Sequence, residues 1–260
     1  MSLLNNRVAI ITGASKGIGR VMSRVFSREG AKVFCAARSE ALVHDAVAEI
    51  RAEGGAAIAA IADASLEAGA RAIIEAGVNA FGRVDTLVNN AGDGGPTRPV
   101  QDYATDDWFY TLNSCLTSAY LCSRFAVPAM IAAGRGSIVN IASMAGRRGL
   151  AYRVGYCSAK AGQIGMTYGL ALELGRHNIT VNAIAPGAVA GDRIDRVIKG
   201  QAEVRGVDVD EMRRSFVERS PLRRMSTADD IAALAVFLCS DLARNISGQC
   251  IPVTAGEPAS

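Results

Sequence analysis

Tyr156 and Lys160 stand four residues apart in the stretch YCSAK, so on a helix their side chains share one face. A phenol set against an ammonium has two readings. The ring can lie along the lysine stem as ordinary packing. Alternatively, the positive charge favours the phenolate and draws the tyrosine pKa from about 10 towards working pH, which makes an acid–base group. A second set of residues suits phosphate. Thr12-Gly13-Ala14-Ser15-Lys16-Gly17-Ile18-Gly19 follows an apolar run and opens a helical pattern. Gly13 allows a tight turn, Gly17 lets backbone approach a phosphate, and Gly19 lets helix and strand pack closely. The helix N-terminus then offers free N–H groups and a positive dipole end to an anion. The spacing is G-x-x-x-G-x-G rather than G-x-G-x-x-G. Glycines also serve ordinary turns, so the weight comes from where the loop falls, after a strand and before a helix.

The elements that must position these residues are legible from period. Residues 7–12, 31–37, 56–62, 84–89, 136–142, 179–185 and 249–254 are short apolar or β-branched runs, as in strands covered on both faces. Helical patterns lie between them near 17–29, 39–53, 66–81, 106–133, 155–176 and 228–240. The alternation predicts an α/β, doubly wound Rossmann fold: a seven-stranded parallel sheet with helices on both faces, in a single domain over 1–260. The charged segment 188–220 breaks the rhythm between the sixth and seventh strands and reads as a lid over a pocket rather than a plain surface excursion.

In such sheets ligands bind outside the carboxyl ends of the strands. Those ends carry the glycine loop, Arg38, Asp63, Asn89-Asn90-Ala91-Gly92, Ser143 and Pro186-Gly187. An acid at the end of the second strand would hold the ribose 2′-hydroxyl of NAD(H). Ala37-Arg38 stands there instead. A guanidinium suits a 2′-phosphate, and Lys16 adds a second cation, so the cofactor predicted is NADP(H) rather than NAD(H). Asp63 is placed to meet the adenine amine, or merely ends its strand.

Composition excludes several classes. Half of the 260 residues are hydrophobic, 20% are charged and the net charge is +3, with Lys and Arg scattered, so no nucleic-acid partner is expected. No uninterrupted apolar run of about 18 residues occurs, so neither a leader nor a membrane span is predicted. Six cysteines sit singly in apolar segments without C-x-x-C spacing, as small buried thiols of a reducing cytoplasm do. Two histidines leave little for a metal site, and none is expected.

Together, Thr12-Gly13-x-x-x-Gly17-x-Gly19, Asn89-Asn90-Ala91-Gly92, Asn113, Ser143, Tyr156-x-x-x-Lys160 and Pro186-Gly187 resemble the short-chain dehydrogenase/reductase family over about 7–254. The stretch NITVNAIAPG is similar to the 3-oxoacyl-[acyl-carrier-protein] reductases within it, in wording shared widely across the family. The resemblance implies hydride transfer between a nicotinamide cofactor and a small carbonyl or alcohol. Tyr156 would donate and accept the proton, and Lys160 would lower its pKa and anchor the ribose. Ser143 would hold the substrate oxygen, and Asn113 would hold a water beside the lysine. Gly13, Ser15, Lys16, Gly17, Ile18 and Gly19 would cradle the pyrophosphate. Asn89, Ala91 and Gly92 would line the adenosine side, while Pro186, Gly187 and Val189 would face the nicotinamide. Relatives usually carry threonine where Gly191 stands, which leaves open how the carboxamide is oriented. Walls at 93–100, 144–153 and 188–215 would shape the pocket. Arg147, Arg148, Arg153 and Arg193 would hold an anionic group, or some or all would face solvent or a neighbouring subunit. A homotetramer or homodimer is implied, pairing 106–133 and 155–176, with Ala126, Met130, Met166 and Leu170 as candidates for that surface or, equally, for the core. The alternative is a non-catalytic NADP-binding regulator or scaffold on the same fold. A complete Asn-Ser-Tyr-Lys set argues for the enzyme.

Overall fold

A computed structural model describes residues 2–258. Seven strands form one parallel sheet: β1 (Val8–Thr12), β2 (Lys32–Ala37), β3 (Ala57–Ile61), β4 (Thr86–Asn89), β5 (Gly136–Ile141), β6 (Ile179–Pro186) and β7 (Cys250–Val253), in the order β3-β2-β1-β4-β5-β6-β7. The helices between them are α1 (Gly17–Arg28), α2 (Glu40–Ala52), α3 (Glu67–Phe81), α4 (Thr105–Leu112), α5 (Ser118–Ala133), α6 (Ala145–Arg148), α7 (Val154–Leu174), α8 (Asp192–Arg205), α9 (Val209–Glu218) and α10 (Ala228–Cys239).

The two-residue period of the strands feeds two apolar layers. Ala9 and Ile11 face Met22, Phe26, Ile231 and Val236, while Ile10 faces Ile73, Ile74, Leu121 and Met130 on the opposite side. This is why the strand runs read as continuously apolar. The order reverses between β1 and β4, and the crevice that opens at such a switch point is where ligands of this architecture bind.

Three features depart from the expectations. The helix predicted over 106–133 is interrupted by a π-helical turn, Asn113–Thr117, between α4 and α5. The whole segment Thr105–Ala133 is apolar and long enough to cross a bilayer by length and composition, but Leu121, Cys122, Ala126 and Met130 are spent on the sheet. Ala126 and Met130 are fully buried, so of their two readings the structure takes the core one. The segment 188–220 folds as the helix pair α8 and α9 with its own small core of Ile198, Ala202, Met212 and Phe216. It is tied back at its root, where Ser226 N donates to Ala188 O and Ala190 N donates to Ser226 O.

Candidate active site

The carboxyl edge of the sheet opens into one cavity of about 1400 Å³, whose lining includes the glycine loop and residues of α8. Its floor is stitched at the switch point. Asn90 Nδ2 donates to Thr12 O (2.9 Å) and Gly13 O (3.2 Å), and the Asn90 and Ala91 amides donate to Thr12 Oγ1 (3.1 and 3.0 Å). Gly13 has φ +67°, and a Cβ there would stand 2.9 Å from Ala91 Cα. A Cβ on Gly19 would lie 2.2 Å from Gly13 O. Both sites therefore exclude a side chain. No side chain caps α1, so its first N–H groups remain available where Ser15, Lys16, Gly17, Ile18 and Gly19 line the cavity.

Arg38 and Asp63 enter from β2 and β3. Arg38 approaches Asp63 at 3.6 Å, and a hydrogen bond with the Tyr110 hydroxyl is the main cause of its raised pKa. Burial pushes the Asp63 carboxyl up, but donation from Ser65 N (2.9 Å) and Oγ (2.7 Å), with the field of Arg38, holds it below the usual range.

Ser143, Tyr156 and Lys160 meet in the middle of the cavity. Lys160 is buried, and its Nζ donates to Ile141 O (2.6 Å) and Gln163 Oε1 (2.7 Å). It lies 5.8 Å from the centroid of the Tyr156 ring. An ammonium has three N–H donors, so one remains for a ligand. Burial pushes the Tyr156 phenol up. Arg193, then Lys160 and a hydrogen bond from Ser143, outweigh it and leave the pKa below the ordinary value. Arg193 thus exceeds the expected lysine as the electrostatic cause. Arg193 stands 5.4 Å and Arg153 5.2 Å from the same ring centroid.

Ala91, Gly92, Pro186, Gly187 and Val189 line the cavity as expected, but two predicted residues are not brought to it. Asn113 is exposed on the outer side of the π turn, and its Oδ1 accepts from Thr117 Oγ1 at 3.1 Å. Cys115 takes the inner position: its Sγ donates to Asp93 O (3.0 Å), and its carbonyl accepts from Gln163 Nε2 (2.9 Å). Gln163 therefore bridges the π turn to Lys160, a link that went unread because a lone glutamine in an apolar helix carries no motif. Asn89 is also misplaced. Its side chain is buried, with Nδ2 donating to Ser123 Oγ (3.0 Å) and Asn140 Oδ1 (2.9 Å), and Asn90 is the residue that lines the cavity. Gly191 caps α8 at φ +130°, a backbone region in which threonine would be strained.

A Rossmann sheet with this glycine loop and a tyrosine–lysine pair lining its cavity defines a class of nucleotide-dependent oxidoreductases. The chain belongs to the short-chain dehydrogenase/reductase family. A family model described as enoyl-(acyl carrier protein) reductase matches residues 13–257. A Streptomyces violaceoruber protein named as a ketoacyl reductase of the granaticin polyketide synthase is 36% identical over 96% of this chain and 92% of its own length. The 7alpha-hydroxysteroid dehydrogenase of Escherichia coli (strain K12) is 35% identical over 97% of this chain and 94% of its own. Among solved structures, NAD+-bound xylitol dehydrogenase superposes with a TM-score of 0.93 at 31% identity, covering 97% of this chain and 99% of that one.

Proposed function

We propose that this oxidoreductase is NADP(H)-dependent and interconverts a ketone or aldehyde with the corresponding alcohol. The observation that carries the reading is the convergence of Ser143, Tyr156 and Lys160 in the cavity that begins at the uncapped N-terminus of α1. The cradle fits a dinucleotide: free backbone donors at the glycine loop, cations at Lys16 and Arg38, and a side-chain-free turn at Gly13. When bound, the nicotinamide supplies or accepts the hydride.

This chain's residues handle the oxygen and its proton. The Ser143 hydroxyl donates to the substrate oxygen and holds it against Tyr156. In reduction the Tyr156 phenol gives its proton to that oxygen; in oxidation the phenolate takes it back. Lys160 and Arg193 stabilise the phenolate. Lys160 holds its position through Ile141 O and Gln163, and its remaining donor is available to a ribose hydroxyl. The Cys115 carbonyl and Gln163 form the polar link that we expected Asn113 to begin.

Cofactor choice follows from the end of β2. Arg38 and Ser39 precede α2, whose N-terminus has no side-chain cap, so a guanidinium and a positive dipole end meet there. Hydrogen bonds to charged groups contribute about 1.5–3 kcal/mol each, and every 1.4 kcal/mol or so is tenfold. NADPH should therefore bind at least about tenfold more tightly than NADH. Ala37→Asp with Arg38→Leu should reverse the order, because the carboxylate accepts from ribose hydroxyls and repels phosphate. Fluorescence titration of both cofactors at fixed salt tests this. Equal affinities in the wild type would remove Arg38 from the cofactor site and with it the NADP(H) assignment.

A further inference from the structure

The cavity holds two guanidiniums, those of Arg153 and Arg193, that no carboxylate among the described residues pairs with. Arg153 is buried, at 5% exposure. Its Nη1 donates to Gly95 O (3.3 Å) and Thr97 Oγ1 (3.1 Å), both uncharged acceptors, and its buried Nε has no partner. Arg193, in the first turn of α8, donates only to Gly92 O at 3.3 Å and is otherwise open to the cleft. The two converge on one spot. A Cβ on Gly94 would lie 2.0 Å from Arg153 Nη2 and 3.6 Å from Arg193 Nη2.

Counter-charge is missing although acids are near. Asp93, whose field reaches both arginines, turns its carboxylate to Gly95 N (3.1 Å) and pairs with neither. The same cavity shows how a structural arginine is treated. Arg148 pairs with Glu257. Arg147 is exposed and does not line the cavity. Leaving a buried charge unpaired beside a like charge is costly. Burial and then Arg193 pull the Arg153 pKa down, with Tyr156 opposing them. A partner that restores the balance has to carry negative charge, and the planar guanidinium fork suits an oxyanion with two or more acceptor oxygens.

We propose that Arg153 and Arg193 form an oxyanion subsite, and that the substrate is a short ketone or secondary alcohol bearing a carboxylate or sulfonate a few bonds from the reacting carbon. The shortness follows from the guanidiniums flanking the ring of Tyr156, whose hydroxyl exchanges the proton. The inference rests on the carbonyl–alcohol reading given above.

The test compares kcat/KM for 3-oxobutanoate, 2-oxopropane-1-sulfonate and neutral 2-pentanone with NADPH, in wild type and Arg193→Gln. The wild type should favour at least one anionic ketone by about tenfold or more, the factor that one charge-assisted hydrogen bond supplies. In Arg193→Gln that ratio should collapse, with the neutral ketone reporting the change at Tyr156 that all three substrates share. Which anion is preferred separates carboxylate from sulfonate. Equal kcat/KM for all three in the wild type overturns the subsite and leaves the oxidoreductase reading intact. If none of the three is reduced, thermal shift with acetate or methanesulfonate alone decides the subsite. Protection of the wild type that is lost in Arg193→Gln supports it, and identical shifts overturn it. Arg153→Gln repeats the comparison, and Arg193, being exposed, keeps the test informative should the buried substitution fail to fold.

Discussion

At the scale of single residues, Tyr156 links the electrostatics of the site to its chemistry. Desolvation alone would raise its pKa, yet Arg193, Lys160 and Ser143 bring it below the ordinary value. Alcohol oxidation needs the phenolate, so its kcat should rise with pH and level off with a midpoint below about 10. Reduction needs the phenol and should fall through the same midpoint. Arg193→Gln removes the largest favourable contribution, so both midpoints should move up. A kcat–pH profile that does not move would take Arg193 out of this role. The tyrosine, the lysine and the glycine loop were legible in the sequence because their spacing maps directly onto helix and turn geometry. Asn89 and Asn90 were not separable in the same way. Adjacent residues of a strand face opposite sides, and nothing in two consecutive asparagines says which amide enters the core.

At the scale of elements, the interrupted helix between β4 and β5 explains the other misreading. A π turn admits an extra residue, and this one leaves Asn113 outside while Cys115 points at Gly92 and Asp93. No glycine or proline marks Asn113–Thr117, so the shift has no local signature. Cys115 had read only as a small buried thiol; it is buried, but beside the site. The segment 188–220 was legible as an insertion because charge and broken rhythm mark it, whereas the packing of α8 on α9 depends on a satellite core that no motif announces. The junction of β1 and α1 gives a sharper prediction. Gly19→Ala would push a methyl group to 2.2 Å from Gly13 O, so α1 or the loop has to move. Overpacking of this kind costs about 1–3 kcal/mol. A lower thermal midpoint and weaker cofactor binding should appear together, measured by calorimetry and fluorescence titration. Unchanged values for both would mean that the close approach does not shape the phosphate cradle.

At the scale of the whole molecule, the outer faces of α5 and α7 remain uncovered. Tyr120 is 50% exposed, and on α7 Tyr168 (47%) and Leu172 (88%) lie one turn apart. We propose that a homo-oligomer covers these helices, using Tyr168 and Leu172 where Ala126 and Met130 serve the interior instead. Leu172→Glu should then lower the mass found by light scattering at micromolar concentration. A wild-type chain that is already monomeric would contradict the assembly. The central claim, that the cavity transfers hydride between NADP(H) and a carbonyl with Tyr156 as the acid–base group, has a more direct test. NADPH consumption by wild type and Tyr156→Phe is followed with the best ketone of a panel, with cofactor affinity measured in parallel. Tyr156→Phe should lose about 10²–10⁴-fold in kcat with cofactor affinity nearly unchanged, since the phosphate loop is untouched; a Tyr156→Phe enzyme that turns over at the wild-type rate would remove Tyr156 as the acid–base group.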